Sequence, residues 1–274
     1  MPGPGFVPYL IPVLLSLLLF SFCAAGPQRQ TSQRSIAAWS YTGDTGPAYW
    51  HTLDSAYRIA AEGQAQSPIN IDTSFLIVPQ SGYLAPAFNY TETDYVLENN
   101  GHTIELIPEN GNNHINLDGI DYVLQQFHFH SPSEHRIDGK SFDLEVHFVH
   151  KDHDGNVTVA GILFNEGAEN NILKELFAVL EKKGLAAGAR VKPEAPLNPA
   201  KLFAIGIDGR AVPLYRYNGS LTTPPCTEGV KWCISSLPQE LSKAQLAAFR
   251  SLYYGNNRPV QDLHGRLVFM GLPF

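Results

Sequence analysis

Hydrophobic and polar residues alternate along much of the chain, in short runs that Gly, Asn and Pro interrupt. An alternation with a period of two is typical of strands that bury one face of a sheet. It predicts strands over 95–97, 103–106, 122–130, 144–149, 157–164 and 215–217. Two other stretches, 171–183 and 242–254, have the helical period. Ser242 and Gln245 have the spacing of a capping box, and Gly184 and Gly255 mark the predicted helix ends.

This pattern predicts an α+β fold that is dominated by β structure, with a few helices at its periphery. No internal repeat or low-complexity linker divides the chain. The stretch 188–199 is rich in Pro, but it is short enough to be a surface loop. We therefore expect a single domain.

The N-terminal segment has the pattern of a targeting signal. Residues 9–22 are almost wholly apolar, and the small residues Ala24 and Ala25 follow. The run is shorter than the roughly 20 residues of a comfortable membrane span. We predict a signal peptide over 1–25 and a secreted domain over 26–274, without a stable membrane anchor. One feature is untypical of such a signal, because no Lys or Arg precedes Arg29. A signal anchor that stays attached is the alternative.

Charge and cysteine content narrow the function. The 274 residues include 19 Lys and Arg against 26 Asp and Glu, a formal net charge of −7. No basic excess is available to neutralise phosphates, which argues against nucleic-acid binding. Signal cleavage would leave two cysteines, Cys226 and Cys233, which could bridge each other or pair between chains. The sequence leaves the oligomeric state open.

Three Asn-X-Ser/Thr sequons occur in the chain. Those at Asn89 and Asn156 lie in polar, turn-like stretches, so they are candidate glycan sites, and the sequence leaves their occupancy open. The third, at Asn218, precedes a motif that belongs to the predicted site. We expect Asn218 to be buried and unmodified.

Histidines are concentrated in one part of the sequence. Six of the ten lie between 128 and 153. On a strand, His128 and His130 share one face with Gln126, while Phe127 and Phe129 face a core. His147 shares a face with Glu145 in the same way. A neighbouring antiparallel strand could therefore bring His147 to the point that His128 and His130 face.

Three neutral imidazoles that converge on one point are typical of a catalytic zinc site with one open position. The nitrogen ligands argue against Mg²⁺ or Ca²⁺, and no thiolate lies nearby in the sequence. Gln126 and Glu145 each lie one pleat from a ligand, where they can accept its second N–H. The alternative is a set of hydrogen-bonded histidines at polar positions of a sheet.

Eight short motifs of this sequence are similar to those of the α-class carbonic anhydrases, in order from about residue 37 to the C-terminus. They are Trp-Ser-Tyr at 39–41, Gln-Ser-Pro-Ile-Asn-Ile at 66–71, Asn-Asn-Gly-His at 99–102, Gln-Phe-His-Phe-His at 126–130, Ser-Glu-His at 133–135, Glu-Val-His-Phe-Val-His at 145–150, Ser-Leu-Thr-Thr-Pro-Pro at 220–225 and Asn-Asn-Arg-Pro at 256–259. The resemblance implies a single domain around a large, twisted, mostly antiparallel sheet, with the metal at the bottom of a conical cleft. It also implies reversible hydration of CO₂ to bicarbonate and a proton.

The resemblance also implies roles for individual residues around a zinc ion. The ligands would be His128, His130 and His147. Their hydrogen-bond partners would be Gln126, Glu145 and the backbone carbonyl of Asn256. Thr222 would accept a hydrogen bond from the zinc-bound hydroxide and donate one to Glu134, because an ionised carboxylate can only accept.

The same resemblance implies a proton path and a substrate pocket. His102 would be the proton shuttle between the zinc-bound water and buffer. The residues that order the connecting water molecules would be Tyr41, Asn100 and Thr223. The apolar wall that holds CO₂ would consist of Val149, Val159, Leu221 and Trp232.

Two features depart from parts of this family. Only three residues separate His130 from Glu134, a short loop that resembles bacterial, plant and fungal members. Secreted members commonly bridge the position of Cys226 to a cysteine upstream of the Gln-Ser-Pro motif, where this chain has Ala61 or a neighbouring residue. The sequence therefore does not decide whether Cys226 forms a disulfide bridge.

Other functional classes remain as alternatives. An inactive, anhydrase-like binding or matrix protein would be expected to lack a ligand or the Thr222/Glu134 pair, and none of these is missing. A zinc esterase would use the same residues. A non-haem iron oxygenase would need two histidines and a carboxylate as ligands.

Overall fold

The computed structural model describes residues 38–79, 86–203 and 212–271, together with Met1 and Gly3. The chain divides into two units, Met1–Ile36 and Ala37–Phe274, and every element given below belongs to the second. The predicted signal peptide lies, except for Met1 and Gly3, outside the described residues. Within the described ranges, no helix is both long and apolar enough to cross a membrane.

Strands outnumber helices in the described chain. The α-helices are α1 (Trp50–Leu53), α2 (Ile59–Glu62), α3 (Lys174–Lys183) and α4 (Lys243–Arg250). The strands are β1 (Asn70–Ile71), β2 (Ala87–Asn89), β3 (Tyr95–Asn99), β4 (Ile104–Pro108), β5 (His114–Leu117), β6 (Ile120–His130), β7 (Arg136–Ile137), β8 (Leu144–Lys151), β9 (Val157–Glu166), β10 (Arg190–Val191), β11 (Leu214–Ser220), β12 (Glu228–Ser235), β13 (Gln239–Leu241) and β14 (Phe269–Gly271). All six predicted strands are present.

One large sheet of twelve strands dominates the described residues, with the order β10-β3-β4-β6-β8-β9-β12-β11-β14 along its main path. Its pairings are antiparallel except where β9 meets β12 and β13, which are parallel. β1 and β7 form a separate parallel pair. The predicted β-dominated fold with a large, mostly antiparallel sheet is thus confirmed.

The two faces of β6 have different environments. Phe127 and Phe129 enter a hydrophobic core that α3 and α4 also contact, through side chains such as Phe177 and Phe249. The pairing between β6 and β8 shifts by one residue between Leu124 and Gln126. Such a bulge changes which face the following residues occupy. After it, β6 keeps a strict alternation that leaves His128 and His130 on the face opposite the phenylalanines.

Both predicted helices form, but they are shorter than the pattern indicated. α3 begins at Lys174 instead of 171, because the Asn170 side chain accepts hydrogen bonds from the backbone of Ile172 and Leu173 in a turn. It ends at Lys183, and Gly184, which follows, has a positive φ of 47°. α4 has the predicted capping box of Ser242 and Gln245, and it ends at Arg250.

The asparagines of all three sequons lie at the surface. Asn89 and Asn156 are exposed, as a glycan would require. Asn218 is also exposed, so the prediction that it is buried was wrong. The other six residues of β11 are buried, so Asn218 is the one position of this strand that faces solvent.

Candidate metal centre

Two adjacent strands bring the three predicted ligands together. His128 of β6 lies directly opposite His147 of β8, and His130 lies opposite Glu145. Residues opposite each other in an antiparallel pair have Cβ atoms about 5 Å apart. The imidazole centroids of His147 are accordingly 5.4 Å from His128 and 4.6 Å from His130.

Each imidazole uses one nitrogen for a hydrogen bond within the protein. His128 Nδ1 lies 2.8 Å from Gln126 Oε1, and His130 Nδ1 lies 2.7 Å from the Asn256 carbonyl. His147 Nε2 lies 2.7 Å from Glu145 Oε1. Since these three oxygens only accept, the nitrogens that face them carry the hydrogens. His128 Nε2, His130 Nε2 and His147 Nδ1 therefore present lone pairs.

Burial affects the protonation of these imidazoles. It lowers the pKa of His128, well below its usual value, and repulsion from the other two rings adds to this. Burial also lowers the pKa of His130, although Glu134 opposes it. His147 is different, because the adjacent Glu145 carboxylate outweighs burial and raises its pKa. A metal ion would compete with a proton at this ligand, which couples metal affinity to pH.

These donors fit a zinc ion. One nitrogen from each of His128, His130 and His147 lies within 4.8 Å of the others. His130 Nε2 is fully buried and has no hydrogen-bond partner, which is costly for a polar atom unless something binds it. Three nitrogen donors without a thiolate or a carboxylate are a common zinc set. His135, Glu145 and His147 also cluster, but their nearest nitrogens and oxygens already form hydrogen bonds of 2.7 Å.

Two residues of the triad, His128 and His147, line a cavity of about 600 Å³. One wall is apolar and consists of the four residues that the resemblance assigned to CO₂: Val149, Val159, Leu221 and Trp232. Thr222 and Thr223 also line the cavity, next to His128 and His147. The cavity therefore combines an apolar surface with hydroxyl groups beside the imidazoles of His128 and His147.

Glu134 lies under the triad but does not bond Thr222. Its Oε1 accepts a 2.8 Å hydrogen bond from the backbone of Arg258, and its Oε2 lies 3.8 Å from His147 Nδ1. Oε2 is buried without a hydrogen-bond partner. The expected donation from Thr222 to Glu134 is therefore not formed, since the carboxylate is held by Arg258 and turned towards the His147 ring.

The predicted shuttle lies outside the lining of this cavity. The His102 ring stacks on Trp39, with centroids 3.8 Å apart and planes within 7°. Burial lowers the pKa of His102. Asn100 is exposed, and its Oδ1 accepts the backbone N–H groups of His102 and Thr103, 3.0 Å away in each case. Asn100 thus holds the turn that carries His102.

Tyr41 lies on the same side of the molecule as this stacked pair. Its ring meets Trp39 edge-on at a centroid distance of 5.4 Å. Burial and the negative charge of Glu134 raise the pKa of Tyr41 well above its ordinary value. Tyr41 therefore stays protonated, and its hydroxyl remains a hydrogen-bond donor.

A family model for eukaryotic-type carbonic anhydrases matches residues 45–271 of this sequence. The chain belongs to this family. A carbonic anhydrase of Klebsiella pneumoniae is 40% identical over 233 residues, which cover 84% of this chain and 89% of the relative. One of Neisseria gonorrhoeae is 38% identical over 267 residues, or 97% and 98% of the two chains.

Solved structures of the family have the same fold. The α-carbonic anhydrase from Thermovibrio ammonificans, in complex with the inhibitor sulfanilamide, superimposes with a TM-score of 0.77 at 39% identity, over 85% of this chain and 99% of that one. The chain is thus an enzyme of the carbonic anhydrase class, and the family implies CO₂ hydration. The resemblance to the α-class carbonic anhydrases that the sequence motifs indicated is thus confirmed.

His135 has a structural role at the metal centre that the sequence analysis did not assign. Its Nδ1 lies 2.7 Å from Glu145 Oε1, and its Nε2 lies 2.6 Å from the Tyr217 hydroxyl. Glu145 Oε2 also accepts the backbone N–H groups of Glu134 and His135 at 2.8 Å. The partner of His147 is therefore itself fixed by three further hydrogen bonds, all of them buried.

Arg258 is a second residue whose position the sequence did not explain. Its side chain is 2% exposed, and its guanidinium donates to Gln66 Oε1, to the Ser67 carbonyl and to the Ala60 carbonyl at 2.7–2.9 Å. The side chain of Arg258 thus links the segment before β1 to the loop at 256–258, whose backbone N–H binds Glu134. The sequence marked Arg258 only as part of the motif at 256–259, which did not indicate the residues that it contacts.

The two cysteines of the described domain are both buried and free. Burial raises the pKa of each thiol to about 11. Cys226 and Cys233 therefore do not form a disulfide bridge in this structure. Both thiols stay protonated and unreactive at neutral pH.

Proposed function

We propose that this anhydrase is a secreted zinc enzyme that converts CO₂ and water to bicarbonate and a proton, and catalyses the reverse reaction. The observation that carries the proposal is the set of three lone pairs, on His128, His130 and His147, beside an apolar cavity. Zinc held there would supply a water molecule acidic enough to act as a nucleophile near neutral pH. Neutral ligands favour this, because they leave the full charge of the ion available.

The residues around the triad would bind and orient the reactants. CO₂ is apolar, so the wall formed by Val149, Val159, Leu221 and Trp232 suits it and excludes water from its carbon. The Thr222 hydroxyl borders the same space and can accept a hydrogen bond from the nucleophile. For this its own proton must be donated to Glu134, whose free Oε2 is available to receive it.

His102 would remove the proton that the reaction releases. An imidazole exchanges protons readily near neutral pH. The lowered pKa of His102 favours release of that proton to solvent. Tyr41, Asn100 and Thr223 are the polar groups that we propose to order the water molecules between the centre and His102.

Metal analysis together with stopped-flow CO₂ hydration tests this proposal. We expect the purified protein to hold one zinc per chain and His128→Ala to lose both zinc and activity. His114→Ala is the matched control, because His114 is a histidine of β5 whose Nδ1 faces only a backbone carbonyl. A folded, metal-free His128→Ala protein with full activity would refute the metal centre.

Two alternatives can be separated on the same preparation. An esterase would hydrolyse a simple ester with a kcat/KM well above that for CO₂ hydration. An inactive binding protein would have neither activity, with or without added zinc. We expect CO₂ to be the preferred substrate, because the apolar wall lies directly beside the triad.

Secretion and glycosylation are tested by the mature protein itself. We expect N-terminal sequencing to begin at Gly26, after cleavage of residues 1–25. Treatment with a glycosidase should reduce the mass if Asn89 or Asn156 is occupied, and their exposure is compatible with this. A mature chain that begins at Met1 would contradict the secretion proposal.

A further inference from the structure

The Asn256 side chain connects parts of the molecule that are far apart in sequence. Its Nδ2 donates to the carbonyls of His102, at 3.1 Å, and Phe129, at 3.0 Å. Its Oδ1 accepts the Ser131 N–H at 2.9 Å. Asn256 is 3% exposed, so these bonds are formed away from water. One amide therefore contacts the shuttle residue and both neighbours of the ligand His130.

These bonds replace a part of the sheet that is not formed. β4 and β6 pair through Glu105 opposite His128 and Leu106 opposite Phe127. Beyond this point the Phe129 carbonyl accepts instead from the Thr103 hydroxyl, at 2.5 Å, and from Asn256. Side chains thus continue the connection between the two strands where the chain turns away to His102.

The turn that carries His102 is also linked to the metal-binding strand by Thr103, whose hydroxyl donates to the Phe129 carbonyl and accepts the Phe129 N–H at 3.3 Å. Asn100 stabilises the turn internally, through the N–H groups of His102 and Thr103. The His102 ring itself contacts Trp39. Within the described residues, the His102 carbonyl accepts its hydrogen bond from Asn256. This amide therefore links His102 itself to the strand that carries His128 and His130.

We infer that the Asn256 side chain is a positioning residue that fixes the shuttle loop relative to the metal-binding strand. This role is separate from that of its backbone carbonyl, which accepts from His130 whatever the side chain. The inference rests on the proposed function, because it assumes that His102 transfers protons. Proton transfer over a chain of waters is sensitive to geometry, and a displacement of about 1 Å can cost up to roughly a hundredfold in rate.

Two variants separate the donor of this amide from its acceptor. Asn256→Asp keeps an oxygen for the Ser131 N–H but places an acceptor against two carbonyls. Asn256→Ala removes both groups and leaves the backbone carbonyl. Asn113 gives the matched control, since it is also a fully buried asparagine that bonds Thr93, Tyr95 and the Thr91 backbone, away from the triad. It is changed to Asp and to Ala in the same way.

The kinetic test compares kcat with kcat/KM for CO₂ hydration in weak buffer. We expect both Asn256 variants to lower kcat about tenfold, to lower kcat/KM by less than about threefold, and to recover kcat with added imidazole. The Asn113 variants should change the two constants in proportion. If Asn256→Ala does not fold, the Asp variant carries the comparison.

A second measurement needs neither zinc nor turnover. A protonated imidazole quenches the fluorescence of an indole on which it stacks, so the pH-dependent quenching of Trp39 reports how well His102 is held. We expect its amplitude in the metal-free Asn256 variants to fall towards that of His102→Ala. Wild-type quenching in both, or a proportional loss of kcat and kcat/KM, would overturn the inference. Absence of CO₂ hydration by the wild type would instead refute the proposed function.

Discussion

Replacing Glu145 by Gln is the change that tests the buried network under the triad most directly. The carboxylate is fully buried and accepts four hydrogen bonds, from His147, from the His135 ring and from the backbone of Glu134 and His135. Burial alone would raise its pKa, but the neighbouring His135 and His147 hold it well below the usual range. Glu145 is therefore ionised, and its four hydrogen-bond donors all need an acceptor oxygen at this position.

The magnitude follows from the number of bonds. A glutamine has one acceptor oxygen, and its NH₂ group would face N–H donors, so about two of the four bonds are lost. Breaking a buried, charge-assisted set of this kind costs about 3–5 kcal/mol. His147 would also lose the partner that fixes its tautomer, which typically lowers metal affinity 10–100-fold, or about 1.4–2.8 kcal/mol.

Two assays measure these effects separately. Urea unfolding of the metal-free protein gives the change in stability, and competition with a chelator gives the change in zinc affinity. Glu166→Gln is the control, because Glu166 is exposed at the end of β9 and should change stability by less than about 0.5 kcal/mol. If Glu145→Gln changes stability by less than about 1 kcal/mol and zinc affinity by less than threefold, the network does not stabilise this site.

Three further changes have definite expected outcomes. His102→Ala should slow turnover in weak buffer and be rescued by imidazole; no dependence on buffer would exclude it as shuttle. His150→Gln should flatten the pH dependence of stability measured by urea unfolding. Burial lowers the pKa of His150 to about 3, so only the unfolded chain gains its proton as the pH falls below about 6.5, and the wild type should lose about 2 kcal/mol by pH 5 relative to the variant. Arg258→Lys should lower the melting temperature, since a lysine cannot satisfy the same three acceptors, and should cost about 2–4 kcal/mol.

The metal-binding strands were predictable because their side-chain period is fixed. Once 122–130 and 144–149 are strands, His128 and His130 must share a face, and Glu145 and His147 must share another. The hydrophobic pattern then selects which face is buried in the core. The structure places His128 opposite His147, which is the register that brings the two faces together.

Contacts that depend on a side chain choosing among several partners were not predictable in this way. Thr222 and Glu134 are both at the site, yet Glu134 bonds the backbone of Arg258 instead. Asn218 was expected to be buried because a motif follows it, yet it is the one exposed residue of β11. Proximity in sequence to a functional motif does not determine exposure, and neither does the strand period here, because Arg216 on the same face of β11 is buried.

The loop at 256–258 explains why the rest of the site needed the three-dimensional structure. It contacts His130 across 126 positions of sequence and Glu134 across 124, and no periodic pattern marks such a contact. A loop can supply backbone N–H and carbonyl groups in directions that a strand cannot, because its groups are not used in a ladder. The strands therefore supply the metal ligands, whose spacing the sequence reveals, and the loop supplies the groups that orient His130, the shuttle turn and Glu134. Substitutions in this loop should thus alter the tuning of the centre while leaving the three lone pairs in place.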